Sequence, residues 1–361
     1  METAHFSGLF AHISGIVPAQ APESVTPPCH PGSVKATLIT LADQLRTEAD
    51  AYQHLESLRW PEGVECPTCG GSDVYLIQPK NGISRKATNG AMSERRVWNC
   101  RHCRRQFSAI SGTVMHGTKA SVRVWCLVMF DMICAKNGIS AREVERKYGV
   151  CARTAWFMCH RIRECMKSDA LIATMRGTIV ADETWIGGEP ANRHAGQHQE
   201  PTTRHDGLPN LHTEKTPVLS LINATTGEVR SRVLPNVTAP NLRKFISDHV
   251  DMAGSTLYTD EAKYYDQIGA EFALHEAVNH SAGEYVRGKV TTNRAEGYFG
   301  QLKRSLSGTY HHVSREHLPR YLAEFDFRYS TCRVSDAARM AAVVRRGEGR
   351  RLTYKRTKTS A

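Results

Sequence analysis

The sequence predicts an α/β fold that follows a cysteine-paired module and a helical block. Three observations support this: two Cys-x-x-Cys pairs, helical periodicity from residue 121 to 166, and alternating apolar strand-like runs and helices from residue 177 to 329. We divide the chain into five parts: an extension that we expect to be mobile (1–36), a helix with the cysteine module (37–110), a helix–turn–helix (111–170), the α/β domain (175–335) and a basic tail (336–361).

Composition limits the class of protein. The chain has 361 residues, with 47 Lys and Arg against 36 Asp and Glu. This positive charge favours a polyanionic partner. No apolar run approaches the roughly 18 residues of a membrane span, and the N-terminus lacks the features of a signal peptide. We therefore expect a cytoplasmic protein without a disulfide scaffold, although the chain contains 11 cysteines.

The cysteine pairs predict a zinc ribbon. Each Cys-x-x-Cys pair directs two thiolates at one ion, and two pairs complete a tetrahedral site for one structural Zn²⁺. The four ligands are Cys66, Cys69, Cys100 and Cys103. Gly70 and Gly71 allow a tight turn after the first pair. Among the arginines around the second pair, we expect Arg104 and Arg105 to contact DNA.

Helical periodicity appears in two regions. Apolar spacing predicts a helix over residues 38–59. After a helix over 122–135, Ser140 is a candidate N-cap with Glu143 three positions later, and a turn at Gly149 precedes a helix over 152–166. This order is typical of a helix–turn–helix, although a simple helical hairpin remains an alternative. The candidate DNA-reading residues lie off the apolar stripe of the last helix: Arg153, Thr154, Phe157 and Arg161.

The α/β region predicts the order βββαβαβα. The predicted strands cover 177–182, 217–223, 228–234, 255–260 and 275–279, and the helices cover 241–250, 262–268 and 291–306. Asp182 ends the first strand and Asp260 ends the fourth. If the first strand is central and the fourth lies beside it, both aspartates emerge at adjacent strand ends.

The last helix supplies further candidates. Glu296 and Lys303 are about 10 Å apart along the helix and within roughly 20° of one face. Three clustered carboxylates repel one another unless cations neutralise them. We therefore expect Asp182, Asp260 and Glu296 to hold two Mg²⁺ or Mn²⁺ ions, which is chemistry suited to cutting and joining phosphodiesters. Lys303 would position a phosphate, with Asn293 as a polar neighbour.

Other polar residues are interpreted as secondary. Glu183 and Glu261 follow the aspartates directly and are expected to point to the opposite strand face, as bystanders. The polar insert between Glu189 and Thr216 contains four histidines and is expected to be a loop. We expect the basic segment 341–361 to be solvated or to touch DNA.

Several ordered blocks resemble one known family. They are residues 52–63, 106–119, DETWIGG at 182–188, 258–260, TNRAE at 292–296, GTYHHVS at 308–314 and 317–329. Over residues 45–332 the chain resembles bacterial insertion-sequence transposases that carry a zinc ribbon and an ISXO-like DDE domain. The resemblance implies an RNase H-like fold, divalent metal and a nucleoid-associated enzyme. It also implies binding to double-stranded DNA at terminal inverted repeats and at a target, strand cleavage and transfer, and a homo-oligomer.

In this family the third catalytic position is Asn or Glu, which corresponds here to Asn293 or Glu296. We prefer Glu296, since a carboxylate binds Mg²⁺ better than an amide does. Two alternatives to a transposase stay open: a metal-dependent nuclease without strand transfer, and a catalytically silent DNA-binding regulator.

Overall fold

The computed structural model describes residues 36–78, 94–168, 174–187, 215–278, 286–287 and 290–353. The predicted mobile extension, most of the histidine-containing insert and the end of the basic tail lie outside this part of the chain. Every helix within it is too short or too polar to cross a lipid bilayer.

The N-terminal part combines two helices with a small sheet. α1 (Leu38–Gln44) and α2 (Glu48–Arg59) replace the single helix predicted over 38–59. The break arises because Thr47 caps α2: its side chain accepts from the N–H of Asp50, whose carboxylate accepts from the N–H of Thr47. β1 (Val74–Leu76), β2 (Trp98–Cys100) and β3 (Gln106–Phe107) form an antiparallel sheet in sequence order.

The helical block agrees with its prediction. It contains α3 (Val122–Cys134), α4 (Ala141–Tyr148) and α5 (Ala152–Met166). Ser140 caps α4 by accepting from the N–H of Glu143, and Gly149 ends α4 at φ 65°. The predicted apolar stripe of α5 is buried throughout: Ala155, Cys159, Ile162 and Met166.

A five-stranded mixed sheet forms the α/β part. Its strands are β4 (Met175–Ile186), β5 (Thr216–Asn223), β6 (Val229–Val233), β7 (Val250–Asp260) and β8 (Leu274–Val278). The order is β6-β5-β4-β7-β8, so β4 is central and runs parallel to β7, as predicted. α6 (Ala239–His249) and α7 (Tyr264–Gly269) cover one face. The two-residue strands β9 (Val286–Arg287) and β10 (Val290–Thr291) form an antiparallel pair that the sequence did not indicate.

The other face of the sheet packs against the C-terminal helices. α8 (Asn293–Ser305) continues into a π-helical turn (Leu306–Tyr310), which is followed by α9 (Leu318–Ser330) and α10 (Asp336–Arg346). Apolar residues of α8 and α9 form a core with β4, β5 and β6. Phe327 of α9 belongs instead to the core of the helical block and zinc ribbon. α9 therefore joins the two cores.

The solvated-arm prediction was wrong for residues 341–346. Met340, Val343 and Val344 of α10 have helical spacing and are buried in the same core as α2, α3 and α5. Beyond the helix, Glu348 accepts a hydrogen bond from the buried Arg59 at 2.6 Å. The segment after α10 is thus held against the N-terminal part.

Candidate active site

The two aspartates leave adjacent parallel strands at the same level. Pairing between β4 and β7 runs to Val180 opposite Tyr258. Asp182 and Asp260 each lie two residues beyond that pair. Asp260 ends β7 as predicted, but β4 continues past Asp182 to Ile186, so the predicted strand end at Asp182 was wrong. Antiparallel pairing with β5 extends β4 over these four residues. Their carboxylates belong to a group of three acids in which one oxygen from each residue lies within 4.8 Å of the other two.

The third member of this group is Glu183. The prediction that Glu183 is a bystander was wrong, because its carboxylate belongs to the group. Its side chain does turn to the α7 face, where the hydroxyls of Tyr264 (3.2 Å) and Tyr265 donate to it. At the end of the sheet, however, its carboxylate still lies beside Asp182 and Asp260. Glu261, the other expected bystander, is exposed and lies outside the group.

Burial and mutual repulsion make two of these carboxyl groups easy to protonate. Burial, followed by the neighbouring Asp260, raises the pKa of Asp182 to about 7. Burial also raises the pKa of Glu183 to about 7, against the hydrogen bond donated by Tyr265. Protonation removes a negative charge that is buried and close to other carboxylates, and for this reason both pKa values are raised. A bound cation would relieve the same repulsion.

α8 presents the remaining predicted residues to the same end of the sheet. Glu296, in its first turn, and Lys303, in its last turn, are both exposed. Neither belongs to the 4.8 Å group, but both act on it: Glu296 raises the pKa of Asp182 and Lys303 lowers it. Asn293, the first residue of α8, is also exposed.

The donor set fits a hard divalent cation. Mg²⁺ and Mn²⁺ prefer carboxylate oxygens over nitrogen or sulfur ligands, and they often bind through only one or two carboxylates. The three clustered acids supply such oxygens. Glu296 lies close enough to raise the pKa of Asp182.

The four cysteines of the predicted zinc ribbon are also brought together. Their sulfur atoms lie within 4.8 Å of one another, with Cys66 to Cys103 at 3.5 Å and Cys69 to Cys100 at 3.6 Å. A tetrahedral zinc–thiolate site with bonds of about 2.3 Å has sulfur separations of about 3.8 Å. The thiol arrangement therefore suits a structural zinc ion.

Each cysteine pair lies in its own turn, and the two turns are of the same kind. The N–H of Gly70 donates to the carbonyl of Cys66, and the N–H of Arg104 donates to the carbonyl of Cys100. Both turn residues have positive φ, 70° at Gly70 and 60° at Arg104. Arg104 and Arg105 are exposed at this end of the ribbon.

The predicted DNA-reading residues lie together around a cavity beside α5. Arg153 is exposed at the start of α5, and it lines a cavity of about 310 Å³ together with Thr154, Phe157 and Arg161. Arg161 is half-buried: its guanidinium lies 4.4 Å from the Phe157 ring, and its Nε donates to the carbonyl of Leu352. The segment after α10 therefore reaches the face of α5 that was predicted to read DNA.

Sequence reasoning missed the tyrosine pair that holds Glu183. Tyr264 and Tyr265 begin α7, four and five residues after Asp260. Proximity to Asp260, a candidate metal ligand at the end of β7, was the available signal. Adjacent aromatic residues are more often core residues, and Tyr265 is indeed fully buried.

Two family models match the chain. One, described as the ISXO2-like transposase domain, matches residues 174–330, and one described as the transposase zinc-ribbon domain matches residues 46–106. Together they span more than half of the sequence, and they coincide with the acid-bearing sheet and the cysteine module. These matches confirm the family resemblance and the RNase H-like fold class.

Similarity to individual proteins gives the following results. A Halobacterium salinarum protein, described as an uncharacterized protein in transposable element ISH50, is 27% identical over 286 residues, covering 78% of this chain and 90% of that protein. A chain in the cryoEM structure of simian T-cell lymphotropic virus intasome in complex with PP2A regulatory subunit B56 gamma is 12% identical, with a TM-score of 0.27, covering 56% of this chain and 64% of that chain. A TM-score of 0.27 does not establish a shared fold.

Proposed function

We propose that this chain, which belongs to the ISXO2-like transposase family, binds the terminal inverted repeats of its own element and catalyses metal-dependent cleavage and transfer of DNA strands. The observation that carries this proposal is the meeting of Asp182 and Asp260 at the same level of adjacent parallel strands. Lys303 lies near enough to lower the pKa of Asp182.

Asp182, Asp260 and Glu296 are the residues that would hold divalent cations, with Asn293 as the second candidate on α8. Mg²⁺ bound there would supply Lewis acidity to the phosphate and lower the pKa of a bound water. Glu183 would orient this group, because Tyr264 and Tyr265 fix its carboxylate. Lys303 would hold a phosphate oxygen as a point charge.

The proposed chemistry has two displacements at phosphorus. In the first, water adds to phosphorus and the bond to the 3′ oxygen breaks, which leaves a 5′ phosphate and a 3′ hydroxyl that carries one proton from the water. In the second, that 3′ hydroxyl attacks a phosphorus of target DNA and releases a new 3′ hydroxyl. Strand transfer therefore needs no external energy source.

Positively charged regions would hold the double-stranded DNA. We assign this role to Arg104 and Arg105 on the ribbon, and to Arg153, Thr154 and Phe157 on α5, with Arg161 contributing through its remaining N–H groups. Zinc in the four-cysteine site would fix the ribbon. Because two element ends must be joined, we propose that a homo-oligomer acts on them.

The test uses a supercoiled plasmid that carries the DNA flanking this coding region. We expect nicking and joining with Mg²⁺ or Mn²⁺, and we expect Asp182→Asn and Asp260→Asn each to abolish both activities while binding is retained. Nicking without joining would support a nuclease instead. Binding without either reaction in the wild-type protein would support a silent regulator.

A further inference from the structure

A cavity of about 460 Å³ lies next to Lys303, between the end of β4 and the turn that follows α8. This volume falls within the roughly 300–1,000 Å³ that is typical of small-molecule sites. Its polar and aromatic lining residues are Trp185, Lys215, Lys303, Ser307, His311 and His312. The ten lining residues in the described part of the chain include no acidic residue.

One wall of the cavity is held in an unusual conformation. The π-helical turn after α8 leads directly to His311, whose φ of 59° and ψ of −49° are rare for a residue with a side chain. π-helical turns and strained backbone cluster at functional sites. The conformation of this wall is therefore a first indication of a ligand site.

Tyr310 anchors that wall in the protein interior. Its hydroxyl donates to the buried Glu324 at 3.0 Å and lies against Gly138, in the loop between α3 and α4. The carbonyl of Tyr310 accepts from the N–H of His312 at 2.6 Å. Because Tyr310 is fixed on both sides, the backbone that carries the two histidines is fixed as well.

The cavity chemistry suits a nucleotide. Lys215 and Lys303 supply two positive charges for a phosphate, and phosphate contacts dominate the affinity of proteins for nucleic acids. Trp185 supplies an aromatic surface, and aromatic side chains stack on every base regardless of sequence. Ser307 and the two imidazoles add hydrogen-bonding groups for sugar or phosphate oxygens.

The position of the cavity indicates which nucleotide it would take. Trp185 lies three residues after Asp182 on β4. Lys303 lines the cavity and is close enough to Asp182 to lower the pKa of that carboxyl. On the premise of the DNA-cleaving function proposed above, we propose that this cavity binds one nucleotide of the strand adjoining the phosphodiester that is cut. Lys215 and Lys303 hold its phosphate, Trp185 stacks on its base, and His311 and His312 close the other side.

Photocross-linking tests this assignment directly. The full-length protein is mixed, without divalent cations, with a single-stranded oligothymidylate of about 12 nucleotides, within the usual site sizes of such binding. One thymidine is replaced by 5-iododeoxyuridine. After irradiation we expect cross-linked peptides that contain Trp185 or the 311–312 histidines. Cross-links confined to the zinc ribbon and α5 would overturn the assignment.

Substitutions test the individual contacts by fluorescence anisotropy with the same oligonucleotide. Trp185→Ala is expected to weaken binding about tenfold, whereas Trp185→Phe, which keeps an aromatic ring, retains most of the affinity. Lys215→Ala is expected to lower the slope of log affinity against log salt by about 0.7, the value for one phosphate contact on a single strand. The control is Lys244→Ala, an exposed lysine of α6 on the other face of the sheet. If Trp185→Ala and Lys215→Ala both behave like this control, the proposal fails.

The result is separable from the proposed enzymatic function. Asp182→Asn is expected to lose cleavage but to keep the Trp185 cross-link, because the cavity needs no cation. If wild-type protein never cleaves DNA and yet forms the cross-link, the cavity is a DNA site in a silent protein. If it cleaves DNA without any cross-link in the cavity, only the cavity assignment fails.

Discussion

Arg163 of α5 and Glu324 of α9 form an ion pair at 2.6 Å with side chains that are 2% and 0% exposed. Glu324 also accepts from Arg328 and from the hydroxyl of Tyr310. Although burial opposes ionisation, the two arginines hold the pKa of Glu324 below its ordinary value. Arg328 donates in turn to the carbonyl of Met132 at 2.5 Å. One buried carboxylate therefore ties the helix–turn–helix to the acid-bearing part of the chain.

Removing the negative charge of Glu324 should strongly destabilise the protein. Glu324→Gln leaves Arg163 and Arg328 buried without a counter-charge, and breaking a buried pair typically costs about 3–5 kcal/mol. We expect a matching drop in the free energy of unfolding measured with urea. The control is Arg243→Ala, which breaks the exposed pair of Arg243 with Glu271 (55% and 38% exposed) and should change stability little. Equal effects of both substitutions would contradict the network.

Gly138→Ala tests how closely Tyr310 is held. A Cβ at Gly138 would lie 1.9 Å from the Tyr310 hydroxyl oxygen, and the residue has φ of 89°. Overpacking of this kind costs about 1–3 kcal/mol, and the backbone strain adds to it. We expect a lower melting temperature for Gly138→Ala. Gly297→Ala, in α8 with nothing within 4 Å of the new atom, should be neutral or stabilising by up to about 1 kcal/mol.

Local sequence signals predicted most of the elements but not how their side chains meet. Ser140 and Gly149 marked helix ends through their own backbone chemistry, and Asp182 ended an apolar run, so each was readable in isolation. Strand alternation correctly gave the direction of Glu183, but whether its carboxylate reaches Asp182 depends on the tertiary arrangement at the sheet edge. The basic charge of the C-terminal segment concealed the helical spacing around Val343.

Asp326 should make the stability of the protein depend on pH. Burial raises the pKa of this α9 carboxyl to about 7 from 3.8, against hydrogen bonds from Ser231 and Tyr298. Between about pH 4 and 7 the native state thus keeps a proton that the unfolded chain has lost, so this residue makes stability fall as pH rises.

The comparison with Asp326→Asn, which cannot ionise, isolates this effect. We expect the stability of the wild type relative to the variant to decrease from about pH 4 to pH 7 and to level off above pH 7, as measured by urea unfolding at each pH. A relative stability that stays constant, or that increases over this interval, would show that Asp326 is ionised in the native state.

Metal removal should loosen the N-terminal part. Cys66 and Cys100 belong to the apolar core that joins the ribbon to the helical block, and four thiolates released from zinc would repel one another at close range. We expect a chelator to release one zinc per chain, detected by a colorimetric indicator, and to lower the melting temperature. Cys69→Ser should have the same effect, whereas Cys332→Ser, an exposed cysteine far along the chain, should not.

The contrast between Glu296 and Glu183 bears on the catalytic assignment itself. Glu296 is exposed and comes from α8, so it is available to bind a cation when one enters, whereas Glu183 is already held by Tyr264 and Tyr265. We therefore expect Glu296→Gln to abolish plasmid nicking and Asn293→Ala to retain it. Glu183→Gln should reduce nicking by about 10–100-fold, the usual effect of losing a residue that orients metal ligands.

Tyr265→Phe tests separately whether the hydrogen bonds that hold Glu183 affect cation binding. It removes one hydrogen bond to Glu183 without touching any proposed ligand, so it should weaken the apparent affinity for Mn²⁺ in the nicking assay, with a smaller effect at saturating Mn²⁺. Nicking that survives Glu296→Gln but is abolished by Glu183→Gln would instead make Glu183 the third ligand. The cation would then be held by β4 and β7 alone, without α8.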